Sequence, residues 1–113
     1  MDIRPLLLSL GIRTTLKGFH YLRYGLELCM QNDEYLLLIY KWLFSDIAKH
    51  YHSSQNNVEH CIRTAVSYCW RKGNRRLLIQ LAGHEIDRPP SNSEFINILY
   101  NHLMIQEERK AIL

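Results

Sequence analysis

With 113 residues, 47% of them hydrophobic, the chain suits one domain with a core that needs no disulfide or metal. A net charge of +3 is unremarkable, and three cysteines, an odd number without paired spacing, exclude a disulfide scaffold and suggest reduced thiols in a cytoplasmic protein. No apolar stretch reaches membrane-spanning length, and Leu6-Leu7-Leu8 is too short for the core of a secretory signal.

In chain order, residues 3–10 read as a short first helix stopped by Gly11. Thr14 or Thr15 is placed to cap a second helix that runs to about Met30. Its apolar stripe is Leu16, Phe19, Leu22, Leu26 and Cys29 or Met30. Gly18 and Gly25 lower its intrinsic propensity and mark close helix packing. Asn32 or Asp33 opens a third helix, predicted to run unbroken to about Tyr51. It is densely apolar (Leu36, Leu37, Ile39, Tyr40, Leu43, Phe44, Ile47) and is expected to be central to the core.

His52-Ser53-Ser54 fits a short turn, with Ser53 or Ser54 capping a fourth helix over about 55–72, closed by Gly73-Asn74. A short helix at about 75–82 ends at Gly83. His84 to Asn92 is a loop, because Pro89-Pro90 cannot continue a helix. Ser91 or Ser93 caps the last helix, and Ser91-Asn92-Ser93-Glu94 has capping-box spacing. Phe95, Ile98, Leu99 and Leu103 form its expected buried face. The charged tail over 105–113 is expected to fray. No strand signal competes, so the expected fold is all-α: a six-helix bundle in a single domain over residues 1–113, with its core at about 4–104.

The third and fourth helices and the turn between them read as a helix-turn-helix. On the fourth helix, Val58, Ile62, Ala65, Val66 and Cys69 share one arc of roughly 100°. Asn56, Asn57, His60, Arg63, Thr64, Ser67 and Arg71 share roughly 120° on the other side. Such a helix packs on its own domain and still offers hydrogen-bonding groups to a DNA groove. Charge gathers on the same unit. From Lys41 to Arg76 there are seven Lys/Arg against two Asp/Glu, a net of +5, and the rest of the chain carries −2. An ordinary helical hairpin with a solvated basic face accounts for the same pattern.

Other chemistry finds little footing. His50, His52, His60 and Cys61 lie near one another, but no zinc spacing is present. No glycine-rich phosphate loop or nucleophile constellation occurs, and Glu107-Glu108 reads as a solvated pair. The chain is therefore expected to be no enzyme and to hold no metal or cofactor.

The placed residues carry a resemblance. Leu10-Gly11, Lys17-Gly18-Phe19, Tyr21-Leu22-Arg23 and Asp46-Ile47-Ala48-Lys49 are followed by Val58-Glu59, Ile62-Arg63, Trp70, Gly73-Asn74 and Asn92-Ser93-Glu94-Phe95-Ile96. Together, over about Leu7 to Leu103, they resemble the C-terminal DNA-binding effector domain of the master sporulation response regulator of endospore-forming bacteria.

The resemblance implies a six-helix bundle that binds short operator boxes in promoters, often as tandem copies, and contacts RNA polymerase through its sigma subunit. It also implies a receiver domain ahead of the effector domain. Met1 leaves no room for one, so if this is the whole natural chain, phosphorylation is not expected to switch it in the family's way.

On the base-reading helix the family's glutamate and arginine match Glu59 and Arg63. The best-known members carry arginines at the positions of Asn57 and His60 and histidine at Thr64, and the family's first-helix proline is Ser45 here. Losing two arginines removes two potential bidentate guanine contacts, each worth about 1–3 kcal/mol of discrimination. An amide at position 57 suits adenine, and an imidazole at position 60 makes pH-dependent binding an expectation.

The expected base-reading set is thus Asn56, Asn57, Glu59, His60, Arg63 and Thr64. Lys49, Ser54, Arg71, Lys72 and Arg75 are candidate phosphate contacts. The family's polymerase surface matches Gly73 to Gly83, with Gly73, Leu77 and Ile79 as candidates, though relatives are more polar at the last two. The expected function is a sequence-specific DNA-binding regulator with an altered, weaker box preference. A receiver-less module that pairs with the full-length regulator or polymerase without reading DNA stands beside it.

Overall fold

The computed structural model describes residues 3–112. Among them are six α-helices and no strand: α1 Ile3–Ser9, α2 Lys17–Gln31, α3 Ser45–Tyr51, α4 Gln55–Arg71, α5 Arg75–Ala82 and α6 Asn92–Ile112. The all-α bundle expected from sequence is present. Helix α4 lies mainly against α2 and also touches α3, α5 and α6, so it runs through the middle of the bundle.

The first stop is as expected. Gly11 adopts a left-handed φ of 81°, and its N–H and that of Ile12 return to the carbonyls of Leu8 and Leu7. The expected Thr14 or Thr15 cap is not made. A turn from Arg13 to Leu16 delays α2 to Lys17, and the N-cap residue Leu16 makes no side-chain cap. Phe19, Leu22, Leu26 and Cys29 are buried on α2 as the stripe predicts, while Leu16 and Met30 are only partly buried.

The predicted third helix is not continuous. Asp33–Leu37 forms a 3₁₀ turn, Leu38 leaves helical geometry, Ile39–Phe44 forms a π-helical turn, and only Ser45–Tyr51 is α-helical. The segment from Leu36 to Tyr40 is apolar on every side, so no single helical face could bury it. Widening the turn shifts the register. Ile39, Leu43, Phe44 and Ile47 go inward, whereas Leu37 (76% exposed), Tyr40 (40%) and Trp42 (46%) stay outside. The expectation that Leu37 and Tyr40 belong to the core is therefore corrected. Tyr35 ties the bent segment to α3 by donating its hydroxyl to Asp46 at 2.5 Å. That bond is the main reason its phenol is pushed up to about 12.

Two small residues bring α2 and α4 together. A methyl group on Gly18 would lie 2.3 Å from the Cys61 carbonyl oxygen and 2.8 Å from the Ala65 Cβ. The backbones touch there because neither helix carries a larger side chain.

At α6 the capping box forms as its spacing predicts. Ser91 Oγ accepts from the Glu94 N–H at 3.1 Å, and Glu94 Oε1 accepts from the Ser91 N–H at 2.8 Å. Those bonds, with Arg88 nearby, hold the Glu94 carboxyl below its ordinary range. Phe95, Leu99 and Leu103 are buried, but Ile96 takes the place expected of Ile98, which is half-buried. The tail expected to fray is helical to Ile112, and Leu113 lies outside the described residues. Glutamates, Arg109, Lys110 and Ala111 are strong helix formers, and the basic pair sits at the end that favours positive charge. Among the described residues, no buried side-chain nitrogen or oxygen lacks a hydrogen-bond partner, and no helix is long and apolar enough to cross a membrane.

Candidate nucleic-acid interface

Helices α3 and α4 are joined by His52, Ser53 and Ser54. His52 turns the chain with a left-handed φ of 55° and donates its N–H back to α3. Ser54 then caps α4, its Oγ accepting from the Asn57 N–H at 3.1 Å. The opening of α4 is thereby fixed relative to α3, which is the arrangement a helix-turn-helix requires.

The inner face of α4 is as predicted: Val58, Ile62, Ala65, Val66 and Cys69 are all buried, and Trp70 joins them. Burial raises the Cys69 thiol to about 11. Across the helix, Asn56, His60, Arg63, Thr64 and Arg71 are exposed, while Ser67 is half-buried. Asn56, His60, Arg63 and Thr64 fall on one solvent face within the first turns of the helix.

The two edges of that face are engaged with the protein. At one edge Asn57 is half-buried. Its amide donates to Ser53 Oγ at 2.8 Å and approaches the Tyr21 hydroxyl at 3.5 Å, while its oxygen faces the Cys61 thiol at 3.7 Å. At the other edge, Glu59 Oε1 accepts from Arg63 Nη2 at 2.6 Å, and the Glu59 backbone carbonyl accepts from Asn92 at 3.0 Å. Thr64 Oγ1 is turned back to the His60 carbonyl at 3.1 Å.

Of the phosphate candidates, Lys49 is exposed and 4.0 Å from Asp46. Arg71 and Lys72 are exposed where α4 ends. Arg75 holds its Cζ 4.1 Å from the centre of the Trp70 ring and donates Nε to the Trp70 carbonyl at 2.9 Å, which fixes its direction without burying it.

Of the polymerase candidates, Gly73 is occupied by packing. A Cβ there would lie 2.5 Å from the Leu10 carbonyl oxygen, and that carbonyl accepts from the Asn74 N–H at 2.9 Å. Leu77 packs on the core, and Ile79 is half-buried.

Sequence reasoning missed three neighbours of this face. Tyr40 donates its hydroxyl to Asn56 Oδ1 at 2.5 Å. Gln55 donates to the Lys41 carbonyl at 3.4 Å. Arg88, with Pro89, Ser91 and Asn92, lines a groove of about 460 Å³ beside Glu59 and Arg63. The π-helical turn that exposes Tyr40 has no local signature, whereas Asn92 was visible as a polar residue inside a capping box. Among the described residues no group of three His, Cys, Asp or Glu side chains could hold a metal ion.

A family model described as sporulation initiation factor Spo0A C terminal matches residues 3–103. The match takes in the whole helix-turn-helix and stops inside α6, so the last turns of that helix lie beyond it. The chain belongs to the family of C-terminal domains of the sporulation initiation factor Spo0A.

Proposed function

We propose that this domain regulates transcription by reading a promoter box through the solvent face of α4 in the major groove of double-stranded DNA. One observation carries the reading. Asn56, His60, Arg63 and Thr64 are exposed on one face of a helix whose opposite face is buried in the core. Arg63 takes guanine and Glu59 accepts from cytosine, the two exchanging their mutual pair for base contacts. Asn57 serves the fold in this reading, because its amide already has partners in Ser53 and Tyr21. The box preference therefore departs from that of relatives with arginine at this position. Arginine at position 60 strengthens binding to the family's box, and arginine at position 57 must first displace those contacts. Lys49, Ser54, Arg71, Lys72 and Arg75 take phosphates and set register.

The same reading makes residues 1–113 one domain, working in the cytoplasm and binding as tandem copies on neighbouring boxes. Contact with a polymerase sigma subunit falls to the outer side of α5, at Ile79 with the exposed Arg76 and Gln80 beside it.

Selection of bound duplexes from a random library at two salt concentrations tests the proposal. An enriched motif supports it. Binding without a motif that vanishes as salt rises overturns it. A second reading, a module that pairs with the full-length regulator or polymerase, draws support from Leu37, Leu38 and Trp42, which are exposed together beside the helix-turn-helix. It predicts protein capture without base preference.

A further inference from the structure

Helix α4 receives a side chain from outside the helix-turn-helix proper. Tyr40 sits in the π-helical turn Ile39–Phe44, sixteen positions before Asn56. Its ring meets the buried Phe44 edge-on at 6.2 Å, and its hydroxyl donates to Asn56 Oδ1 at 2.5 Å. A second link joins the same two turns, from the Gln55 amide to the Lys41 carbonyl. Tyr40 is thus held at its ring by the core and at its hydroxyl by the first turn of α4.

We propose that Tyr40 is a positioning residue for base recognition, fixing the Asn56 amide so that Nδ2, the donor end, faces the DNA. The inference rests on α4 reading DNA as described above. An unrestrained asparagine presents acceptor and donor together and pairs with adenine through N6 and N7. A phenol donating to Oδ1 occupies one of its two lone pairs and turns that oxygen toward Tyr40, which orients the amide before binding. What remains toward the groove is a donor, which suits the O6 and N7 acceptors of guanine or the O4 of thymine rather than the amino group of adenine. The tyrosine hydroxyl acts here through Asn56 and touches no base itself. A longer reach from the same turn by a residue without a hydroxyl would leave the amide free to rotate.

The test is selection from a random duplex library with the wild-type chain, Tyr40→Phe, Asn56→Ala and the double variant. Tyr40→Phe keeps the ring on Phe44 and removes only the hydroxyl. The expected result is a change at one base position, from an acceptor base toward adenine or no preference, with discrimination there falling about fivefold. The rest of the motif stays the same. Asn56→Ala loses preference at that same position, and adding Tyr40→Phe changes nothing further. A Tyr40→Phe motif identical to wild type overturns the proposal, as does a uniform loss of affinity across all sequences. A wild-type chain that enriches no motif sinks the DNA-reading proposal itself and with it this one. Circular dichroism of Tyr40→Phe, expected to match wild type, separates lost positioning from lost folding.

Discussion

Glu59 and Arg63, one turn apart on α4, close an ion pair of 2.6 Å on the solvent face of the helix. The carboxylate is on the N-terminal side of the guanidinium, the favourable orientation for an i,i+4 pair. Both side chains are partly exposed, at 32% and 62%, so the pair itself adds little stability. In the proposed DNA-reading role, the pair holds Arg63 aside until a base or phosphate competes for it.

Glu59→Gln should therefore release Arg63. Affinity for random-sequence duplex should rise by about two- to fivefold, with any cytosine preference under position 59 lost. Fluorescence anisotropy at fixed salt, with and without random competitor, reads both effects. Unchanged affinity and unchanged preference would remove the pair from the account of recognition.

Gly18→Ala is expected to destabilise the fold, because the new methyl group meets the Cys61 carbonyl at 2.3 Å and backbone cannot step aside. Overpacking of this kind costs about 1–3 kcal/mol. The melting temperature should fall by about 4 °C or more. Equal melting curves for the two chains would show that α2 and α4 separate more easily than their contact suggests.

Glu94 makes stability depend on acid. Its carboxyl is held below its ordinary value by the Ser91 bonds, so the folded state favours the ionised form. The stability it contributes is present above the unfolded-state value and is lost as pH falls through the folded-state value. Its side chain is 51% exposed, so solvent screening keeps the effect small. Glu94→Ala should cost about 0.5–1 kcal/mol at neutral pH by urea denaturation. The gap between variant and wild type should narrow in acid, and a gap independent of pH would contradict the assignment.

The three thiols should separate by accessibility. Cys29 and Cys69 are fully buried, and burial pushes them to about 12 and about 11, so neither offers a thiolate at neutral pH. Cys61 is only half-buried. Alkylation of the folded chain followed by peptide mass mapping should label Cys61 alone, and all three after unfolding. Early labelling of Cys29 or Cys69 would mean that the core opens locally.

Much of this molecule was legible where the cause is local. Ser54 as a cap, the Ser91–Glu94 box and the stop at Gly11 each depend on a few adjacent residues, and each formed. The inner face of α4 was legible because its apolar period is long and regular. The break at Leu38 was not. Helical periodicity assumes a constant turn, and the widened turn at Ile39–Phe44 moves Tyr40 from the face of Phe44 and Ile47 to the surface.

At the candidate site the limits were of another kind. Asn57 and Arg75 have the chemistry and spacing expected of them, and their side chains are oriented by Ser53, Tyr21 and Trp70. Those partners are distant in sequence or follow from rotamers, and helical geometry alone does not reveal them.

Two close backbone contacts, one on α4 and one just beyond it, have a mechanical consequence. Gly18 lies against Cys61 in its second turn, and Leu10 lies against Gly73 just past its end. These clamps are about 18 Å apart along the axis. A rod pinned at both places can neither roll about its axis nor slide along it. If α4 reads DNA as proposed, it does not adjust its pitch to an imperfect operator, and the duplex does the bending. Boxes flanked by easily kinked pyrimidine–purine steps will then bind better than stiff ones of equal base match.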